Sequence, residues 1–335
     1  MLTVTYSRVG SLDIKLDIEV PAHPNSGALP AVIYFHGGGM VAGSRRDALF
    51  PEWFRESVLK RGFIFVAADY RLVHPCTGFD IIEDVKMLFR FLGDESFSTR
   101  HLPDGMSLDT ARIAVAGFSG GGYPARATGI YASPKPKAAL LYFAQGGDML
   151  SDQWVAVKDH PMPVYGAAVP PDPEMRAQLA GGLPPIADAP FQLRGNGSLL
   201  DPDGRWYFCP YWFRTGDFLD NLLGEPMSAG LRDLPASERL AAVPEHLRPA
   251  LLEAQLDATF PPTFLVHGLA DGVVLPSESQ ATYDRLSELG VRVELIMVPN
   301  ADHILLSTAN LAVLADGAAE AQEKGMDFAE HELRA

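Results

Sequence analysis

The chain has 335 residues, of which 47% are hydrophobic, and a formal net charge of −15 at pH 7. This length suits one α/β domain that carries an insertion, and the apolar share is ample for a large core. The negative charge repels a phosphate backbone and argues against nucleic acid as a partner. No apolar run reaches the ~18 residues of a membrane span, and the first residues lack the features of a secretory signal. We therefore expect a soluble, cytoplasmic protein.

The two cysteines, Cys76 and Cys209, are too few for a disulfide framework and lack metal-ligand spacing. A single disulfide between them stays open at this point, although two reduced thiols are favoured. The histidines show no H-x-x-x-H spacing of the kind that binds zinc. The sequence therefore predicts neither a metal nor a cofactor.

The order of the predicted elements indicates an α/β fold. Residues 2–8 and 11–20 alternate apolar and polar side chains, which predicts an antiparallel hairpin at the edge of a sheet. Fully apolar runs that alternate with helices follow, and these are typical of a mostly parallel sheet with helices on both faces. The predicted strands are 31–35, 63–68, 112–116, 138–144, 263–267 and 291–298, and the predicted helices are 52–60, 80–92, 123–131, 277–289 and one from about 304.

This alternation stops between residues 146 and 259, where proline and aromatic side chains are frequent. Dense aromatic side chains argue against disorder, and a long irregular stretch in a compact domain is usually functional when it is ordered. We interpret residues 146–259 as a cap inserted into one catalytic domain, which comprises residues 1–145 and 260–335. Short helices are predicted in the cap at 172–180, 236–242 and 246–257.

A nucleophile is predicted at Ser119, in the segment Gly117-Phe118-Ser119-Gly120-Gly121. The segment matches G-x-S-x-G, and it lies where a predicted strand ends and a helix begins, as that motif requires. Flanking glycines allow the tight turn that exposes the serine. The alternative is an ordinary glycine-rich turn, and the context favours the nucleophile.

An oxyanion hole is predicted from the segment His36-Gly37-Gly38-Gly39, which follows the first buried strand. Glycines leave the backbone N–H groups of such a loop open to a negatively charged oxygen. We expect the N–H groups of Gly38, Gly39 and Gly120 to form this hole. His36 is interpreted as a residue that bonds to the loop backbone and does not transfer protons.

The acid and the base are predicted at Asp271 and His303, which follow the last two predicted strands. Ligands of open α/β sheets bind at the carboxyl ends of the strands, and Ser119 lies at the same edge. The chain order Ser–Asp–His is that of hydrolases with a G-x-S-x-G elbow. His303 would take the serine proton, and Asp271 would orient its imidazole. Asp302 is interpreted as a loop or cap carboxylate.

These motifs together resemble the hormone-sensitive-lipase-like esterases of the α/β-hydrolase fold. The resemblance covers roughly residues 30–145 and 260–335, in the order of that family. It implies an α/β-hydrolase fold, a catalytic triad, a cap domain, an esterase or lipase activity, and pairing into a homodimer in many members. Phe118 is a departure, because the family usually has an acidic residue there. The matching segments are His36-Gly-Gly-Gly-Met-Val-Ala-Gly43-Ser44, Asp69-Tyr-Arg-Leu72, His267-Gly-Leu-Ala-Asp271 and Ala301-Asp-His303.

The predicted reaction is acyl transfer from an ester, lactone or thioester through an acyl-enzyme that water hydrolyses. Phe118 and the cap aromatics Trp206, Tyr211 and Trp212 favour a small or medium apolar substrate. The cap aromatics fit the core of the cap equally well. One alternative is a tailoring enzyme of a biosynthetic pathway that performs acyl transfer, cyclisation or product release. A less favoured alternative is a small-molecule receptor on the same fold.

Overall fold

The computed structural model describes residues 1–22, 27–162, 170, 172–195 and 199–335. Eight of its strands form one sheet in the order β1-β2-β4-β3-β5-β6-β9-β10, and two short hairpins, β7-β8 and β11-β12, lie outside it. The strands are β1 (Leu2–Val9), β2 (Leu12–Glu19), β3 (Gly27–Phe35), β4 (Ile64–Ala68), β5 (Met106–Phe118), β6 (Ala138–Tyr142), β7 (Gln192–Leu193), β8 (Leu199–Leu200), β9 (Thr263–Gly268), β10 (Val293–Val298), β11 (Leu306–Ser307) and β12 (Asn310–Leu314).

The helices lie between these strands and within the predicted cap, and the last one follows β12. They are α1 (Glu52–Lys60), α2 (Gly78–Leu92), α3 (Phe97–His101), α4 (Gly122–Tyr131), α5 (Asp152–Val155), α6 (Asp172–Ala180), α7 (Phe208–Thr215), α8 (Phe218–Leu223), α9 (Ser228–Leu231), α10 (Ala236–Ala242), α11 (Pro276–Glu288) and α12 (Ala318–Arg334). Among the described residues, no helix combines the length and the apolar character needed to cross a bilayer.

The sheet is antiparallel only at its N-terminal edge, where β1 pairs with β2 and β2 with β4. The pairs from β3 through β10 are all parallel. The edge hairpin and the mostly parallel α/β sheet are therefore confirmed. Because the strands run in one direction, the carboxyl ends of β5, β9 and β10 lie at one edge.

Alternate side chains of the central strands enter two different hydrophobic cores, since successive residues of a strand point to opposite faces. Along β3, Ile33 and Phe35 pack in the core that includes α2, α4 and α11. Val32 and Tyr34 pack in the other core, with side chains from α1 and α12. Burial of one such side chain stabilises the fold by roughly 1.5–3 kcal/mol. Helices therefore cover both faces, as the continuous apolar runs predict.

The chain after His303 differs from the helix predicted from about residue 304. A 3-10 turn at His303–Leu305 leads into the β11–β12 hairpin, and α12 begins only at Ala318. Ile304 and Leu305 have φ angles of 59° and 65°, which a right-handed helix does not accommodate. Gly317, with φ of 80°, precedes the first residue of α12. The expected helix thus starts later because the backbone first makes a left-handed turn.

The segment between residues 146 and 259 contains more helix than its composition indicates. Helix α7 was not predicted, and its Pro210 lies in the first turn, where a missing N–H is tolerated. The helix predicted at 246–257 is instead two 3-10 turns at 248–250 and 252–255. The assignment of 146–259 as a cap stays a prediction.

Cys76 and Cys209 are buried free thiols.

Candidate active site

The turn that carries Ser119 connects the end of β5 to α4 through a 3-10 turn at Ser119–Gly121. Ser119 has a φ of 53°, a left-handed conformation that costs energy in any residue but glycine and is concentrated at functional sites. The turn depends on its flanking glycines. A Cβ on Gly117 would lie 2.3 Å from the carbonyl oxygen of Gly121, and one on Gly121 would lie 2.2 Å from that of Phe35. Only glycine fits at both positions.

Ser119, His303 and Asp271 form one hydrogen-bonded row at the carboxyl edge of the sheet. The Nε2 atom of His303 lies 2.9 Å from Oγ of Ser119, and its Nδ1 atom lies 2.7 Å from Oδ2 of Asp271. All three side chains are buried. In the tautomer whose Nδ1–H donates to the carboxylate, Nε2 can accept the serine proton. The structure thus brings together the three residues that the sequence singles out from separate strands.

Asp271 is held in its ionised form by its surroundings. Its Oδ1 atom accepts hydrogen bonds from the backbone N–H groups of Val273 and Val274, at 2.8 and 3.0 Å. Burial acts to raise the pKa of Asp271, but the nearby His303 and the hydrogen bonds from His267 and His303 outweigh burial and lower this pKa. A carboxylate near neutral pH is the form that can orient and stabilise an imidazolium.

His267, which the sequence marks only as the start of the segment carrying the acid, supports Asp271 directly. Its Nε2 atom lies 3.1 Å from Oδ2 of Asp271 and 2.9 Å from the carbonyl oxygen of Val274. Its Nδ1 atom lies 2.7 Å from Oγ of Ser279. The sequence does carry a signal for this contact. In His267-Gly-Leu-Ala-Asp271 the histidine lies near the end of the buried strand β9, four residues before the predicted acid.

The glycine loop, defined here as residues 36–43, packs directly against the serine turn. A Cβ on Gly120 would lie 2.5 Å from the backbone nitrogen of Met40 and 2.7 Å from that of Gly39. Gly38 has a φ of 96°, and its carbonyl oxygen accepts from the N–H of Val41 at 3.0 Å. Within the described residues, neither the N–H group of Gly38 nor that of Gly39 donates a hydrogen bond. The three predicted oxyanion-hole glycines therefore lie within the serine turn and the loop against it.

His36 supports this loop through its backbone, as the sequence predicts. Its ring stacks on Tyr70 with centroids 4.5 Å apart, and its Nδ1 atom lies 2.8 Å from the carbonyl oxygen of Gly37. The Tyr70 hydroxyl donates to the carbonyl oxygen of His36 at 2.8 Å. Burial lowers the pKa of His36 to about 4, so this imidazole is neutral at pH 7.

A cavity of about 780 Å³ opens onto Ser119 and His303. Phe118 and Trp206 are among its lining residues, whereas Tyr211 and Trp212 are not. Helix α7 turns those two side chains into the interior of the segment, where they are buried. The Trp212 ring stacks on Phe208 with centroids 5.4 Å apart. Of the four predicted substrate-binding residues, the structure therefore brings two to the cavity.

The other residues that line the cavity belong to no sequence motif. Tyr34, Trp53 and Phe143 line it with aromatic rings, and exposed leucines such as Leu314 lie at its rim. Polar groups line it as well, among them the half-buried Asp47, whose pKa burial raises to about 6. These residues come from elements far apart in the chain, and only the folded sheet assembles them. In the described ranges no cluster of three or more His, Cys, Asp or Glu side chains could hold a metal ion.

Two family models match parts of the chain: the BD-FAE family over residues 16–139 and the prolyl oligopeptidase family over residues 246–322. Among curated proteins, the non-reducing polyketide synthase pkbA of Emericella nidulans is 26% identical over 99% of this chain and 14% of its own length. The probable carboxylesterase M8 of a Phoma species is 34% identical over 35% of this chain and 38% of its own length. The chain thus spans a small part of the polyketide synthases it matches.

Solved structures of the Thermogutta terrifontis esterase Est2 are similar to this chain along nearly its whole length. The butyrate-bound form has a TM-score of 0.56 at 20% identity and covers 99% of this chain and 93% of the esterase. The form phosphoramylated by tabun has a TM-score of 0.57 at 18% identity, with the same coverage. This likeness shows the α/β-hydrolase fold.

The two family models match the N-terminal and C-terminal parts of this fold. The chain has the α/β-hydrolase fold, and parts of it are similar to the BD-FAE and prolyl oligopeptidase families.

Proposed function

We propose that Ser119, His303 and Asp271 form the catalytic triad of this enzyme and cleave carboxylic esters through an acyl-enzyme. The observation that carries the proposal is the hydrogen-bonded row, with 2.9 Å between Ser119 and His303 and 2.7 Å between His303 and Asp271. A base within hydrogen-bonding reach of a serine, itself oriented by a third group, is the arrangement that activates such a nucleophile.

In the first half of the reaction, Ser119 Oγ attacks the carbonyl carbon while its proton passes to Nε2 of His303. The C–O bond to the alcohol then breaks, and His303 gives the alcohol that proton. In the second half, a water molecule attacks the acyl-enzyme, and His303 moves a proton from the water to the departing Ser119 oxygen. Asp271 stabilises the imidazolium in both halves. The acid product and the free enzyme result.

The negative oxygen of each tetrahedral intermediate would bind the N–H groups of Gly38, Gly39 and Gly120. Support comes from the contact between the glycine loop and the serine turn, where a Cβ on Gly37 would lie 3.3 Å from Cβ of Ser119, which is closer than ordinary van der Waals contact. Donors arranged in advance around a developing charge are usually the largest single contribution to this kind of catalysis.

We propose a small or medium apolar ester, lactone or thioester as the substrate, enclosed by a cap at residues 146–259. The aromatic walls at Phe118 and Trp206 support this choice, as does a cavity volume within the range of ligand sites. Within the family, the motifs of the sequence favour the hormone-sensitive-lipase-like group. A cytoplasmic location and a homodimer are part of the same proposal, and sedimentation velocity would detect the dimer.

The test is hydrolysis of p-nitrophenyl esters from acetyl to decanoyl, with Ser119→Ala run in parallel. Turnover by the wild type that disappears in Ser119→Ala supports the acyl-enzyme mechanism, and the preferred chain length gives the size of the acyl pocket. A phosphonate that reacts with serine should add its mass to the peptide containing Ser119. Turnover that persists in Ser119→Ala would contradict the proposal.

The second candidate is release of an acyl group from a thioester in a biosynthetic pathway. Polyketide synthases from three fungi align with 90–99% of this chain, at 13–14% of their own length, which favours this candidate. The comparison is between thioesters of N-acetylcysteamine and p-nitrophenyl esters of the same acyl groups. A kcat/KM at least tenfold higher for the thioesters, or a cyclised product in the mass spectrum, supports release. Equal rates and only free acid would favour the simple esterase.

A further inference from the structure

Arg205 connects the predicted cap to the glycine loop of the active site. It is buried, with 4% of its surface exposed, and it is separated by more than 160 residues from the loop it contacts. Its Nε–H donates to the carbonyl oxygen of Val41 at 3.0 Å. Its Nη2 group donates to the carbonyl oxygens of Val73 and His74, at 3.0 and 2.6 Å. One guanidinium thus joins two loops of the catalytic domain.

The carbonyl group that Arg205 holds belongs to the same turn as the predicted oxyanion donors. The N–H of Val41 donates to the carbonyl oxygen of Gly38, which closes this turn on itself. The N–H of Val73 donates to the carbonyl oxygen of Met40 at 2.8 Å, so the two loops joined by Arg205 also bond to each other. A displacement at Val41 is therefore transmitted to Gly38 over three residues.

The residues that follow Arg205 touch both the cavity and the loop. Trp206 lines the cavity next to Ser119. Cys209 packs on the glycine loop so closely that a Cβ on Gly39 would lie 2.8 Å from its Sγ atom. Another part of the same segment bonds to the loop through an isolated β-bridge between the backbones of Ala189 and Gly43, at 2.8 and 3.0 Å. The segment thus contacts the loop at Gly39, Val41 and Gly43.

We infer that Arg205 is a positioning residue, which holds the N–H groups of Gly38 and Gly39 in the geometry that binds the oxyanion. This inference rests on the proposed function, because it assigns a role within the same reaction. Arg205 acts through the loop and does not touch the reacting atoms.

The effect of removing Arg205 should fall on kcat. The oxyanion exists only in the transition state and the intermediates, so a displaced donor costs little in substrate binding. Loss of one oxyanion donor lowers kcat by ~10²–10³-fold, and a misplacement of about 1 Å costs ~10²-fold. A glutamine cannot donate to three carbonyl groups that lie in different directions. A lysine keeps the positive charge but lacks the planar guanidinium group with its several N–H donors.

Arg239 provides a matched control in the same segment. It is also buried with 4% of its surface exposed, and it donates to the carbonyl oxygens of Leu231, Leu234 and Leu150 at 2.7–3.1 Å. Those carbonyl groups lie outside the glycine loop, and Arg239 does not line the cavity. Substitutions of Arg205 and Arg239 therefore each remove three hydrogen bonds to carbonyl oxygens, those of Arg239 also remove its ion pair with Asp152, and only those of Arg205 affect the loop.

The experiment compares Arg205→Gln and Arg205→Lys with Arg239→Gln and Arg239→Lys. Steady-state kinetics on a p-nitrophenyl ester gives kcat and KM, with the wild type and Ser119→Ala alongside. A trifluoromethyl ketone, which forms a reversible tetrahedral adduct with an active-site serine, gives a second readout. Far-UV circular dichroism and Tm identify the folded variants.

We expect Arg205→Gln to lower kcat by ~10²-fold with KM within ~3-fold, and Arg205→Lys to lower it by ~10-fold. The ketone should bind more weakly by a similar factor. Both Arg239 variants should keep kcat within ~3-fold of the wild type. Equal kcat in folded Arg205 and Arg239 variants would overturn the inference, as would a rise in KM alone. If the wild type shows no turnover that depends on Ser119, the proposed function fails first and the inference falls with it.

If the Arg205 variants do not fold, Cys209→Ala is used for the test in their place. It removes the Sγ atom that packs on Gly39 and leaves every hydrogen bond of Arg205 in place. We expect a smaller loss of kcat, ~3–10-fold, with KM unchanged and weaker binding of the ketone. Wild-type values of kcat and of ketone affinity in this variant would overturn the inference.

Discussion

The ring of Phe143 lies edge-on against the imidazole of His303, with the ring centroids 5.1 Å apart and the planes at 71°. Phe143 follows β6 directly and has a φ of 40°, a strained conformation for a bulky residue. It also contacts Phe118, with centroids 5.8 Å apart. The strained turn thus directs a rigid side chain against the predicted base.

Phe143→Leu should lower kcat about 3–10-fold, because an aromatic pair of this geometry contributes ~0.5–1.5 kcal/mol to the position of the imidazole. Steady-state ester hydrolysis measures the effect. The control is Phe97→Leu, which removes a similar edge-on contact with Phe91, at 5.5 Å, far from the cavity. Equal losses of kcat in the two variants would mean that Phe143 acts only through general stability.

Ser119→Ala and His303→Ala should each lower kcat by ~10⁴–10⁶-fold. The double variant should be little worse than either single one, since a nucleophile and its base act as a unit. Rates of p-nitrophenyl ester hydrolysis, with circular dichroism to verify folding, check this. Losses that multiply in the double variant would indicate that the two residues act in independent steps.

Asp271→Asn should lower kcat by a smaller factor than the loss of Ser119 or His303. The amide keeps the volume of the carboxylate but stabilises the wrong tautomer and does not balance an imidazolium. Near-normal turnover in Asp271→Ala would move the acid role to another carboxylate. Asp302 would be the first to examine, because its side chain accepts a hydrogen bond from the N–H of His303.

The pH dependence of stability should include a contribution from Glu253. Glu253 is half-buried, and burial raises the pKa of its carboxyl to about 8, with the nearby Glu278 acting in the same direction. Its folded-state pKa is above the unfolded value of ~4.3, so the stability it contributes is complete below pH ~4 and is lost as the pH rises through about 8. Urea unfolding at pH 5, 7 and 9 should show the wild type losing more stability than Glu253→Gln. Parallel pH curves for the two proteins would show that Glu253 does not titrate in this range.

The sequence predicts the site better than it predicts the cavity, and the reason is physical. The serine turn and the glycine loop need glycine wherever a Cβ would meet backbone, as at Gly117, and such local requirements leave a motif. The wall formed by Trp53 and Phe143 has no such requirement, because the sheet brings these residues together from distant elements. The hairpin after His303 was missed for the same reason, since the positive φ angles at Ile304 and Leu305 follow from tertiary packing and not from residue type.

Trp206 and Trp212 lie six positions apart in one segment and should respond to truncation in different ways. Trp206 lines the cavity, so Trp206→Ala should enlarge it and shift the preferred p-nitrophenyl ester toward longer acyl or bulkier alcohol groups. Trp212 is buried against Phe208 and Phe218, so Trp212→Ala should lower the free energy of unfolding by ~3–5 kcal/mol. Substrate profiles and urea unfolding of both variants separate the two effects. A shifted profile in Trp212→Ala with unchanged stability would mean that this residue contacts the substrate in solution, contrary to its buried position in α7.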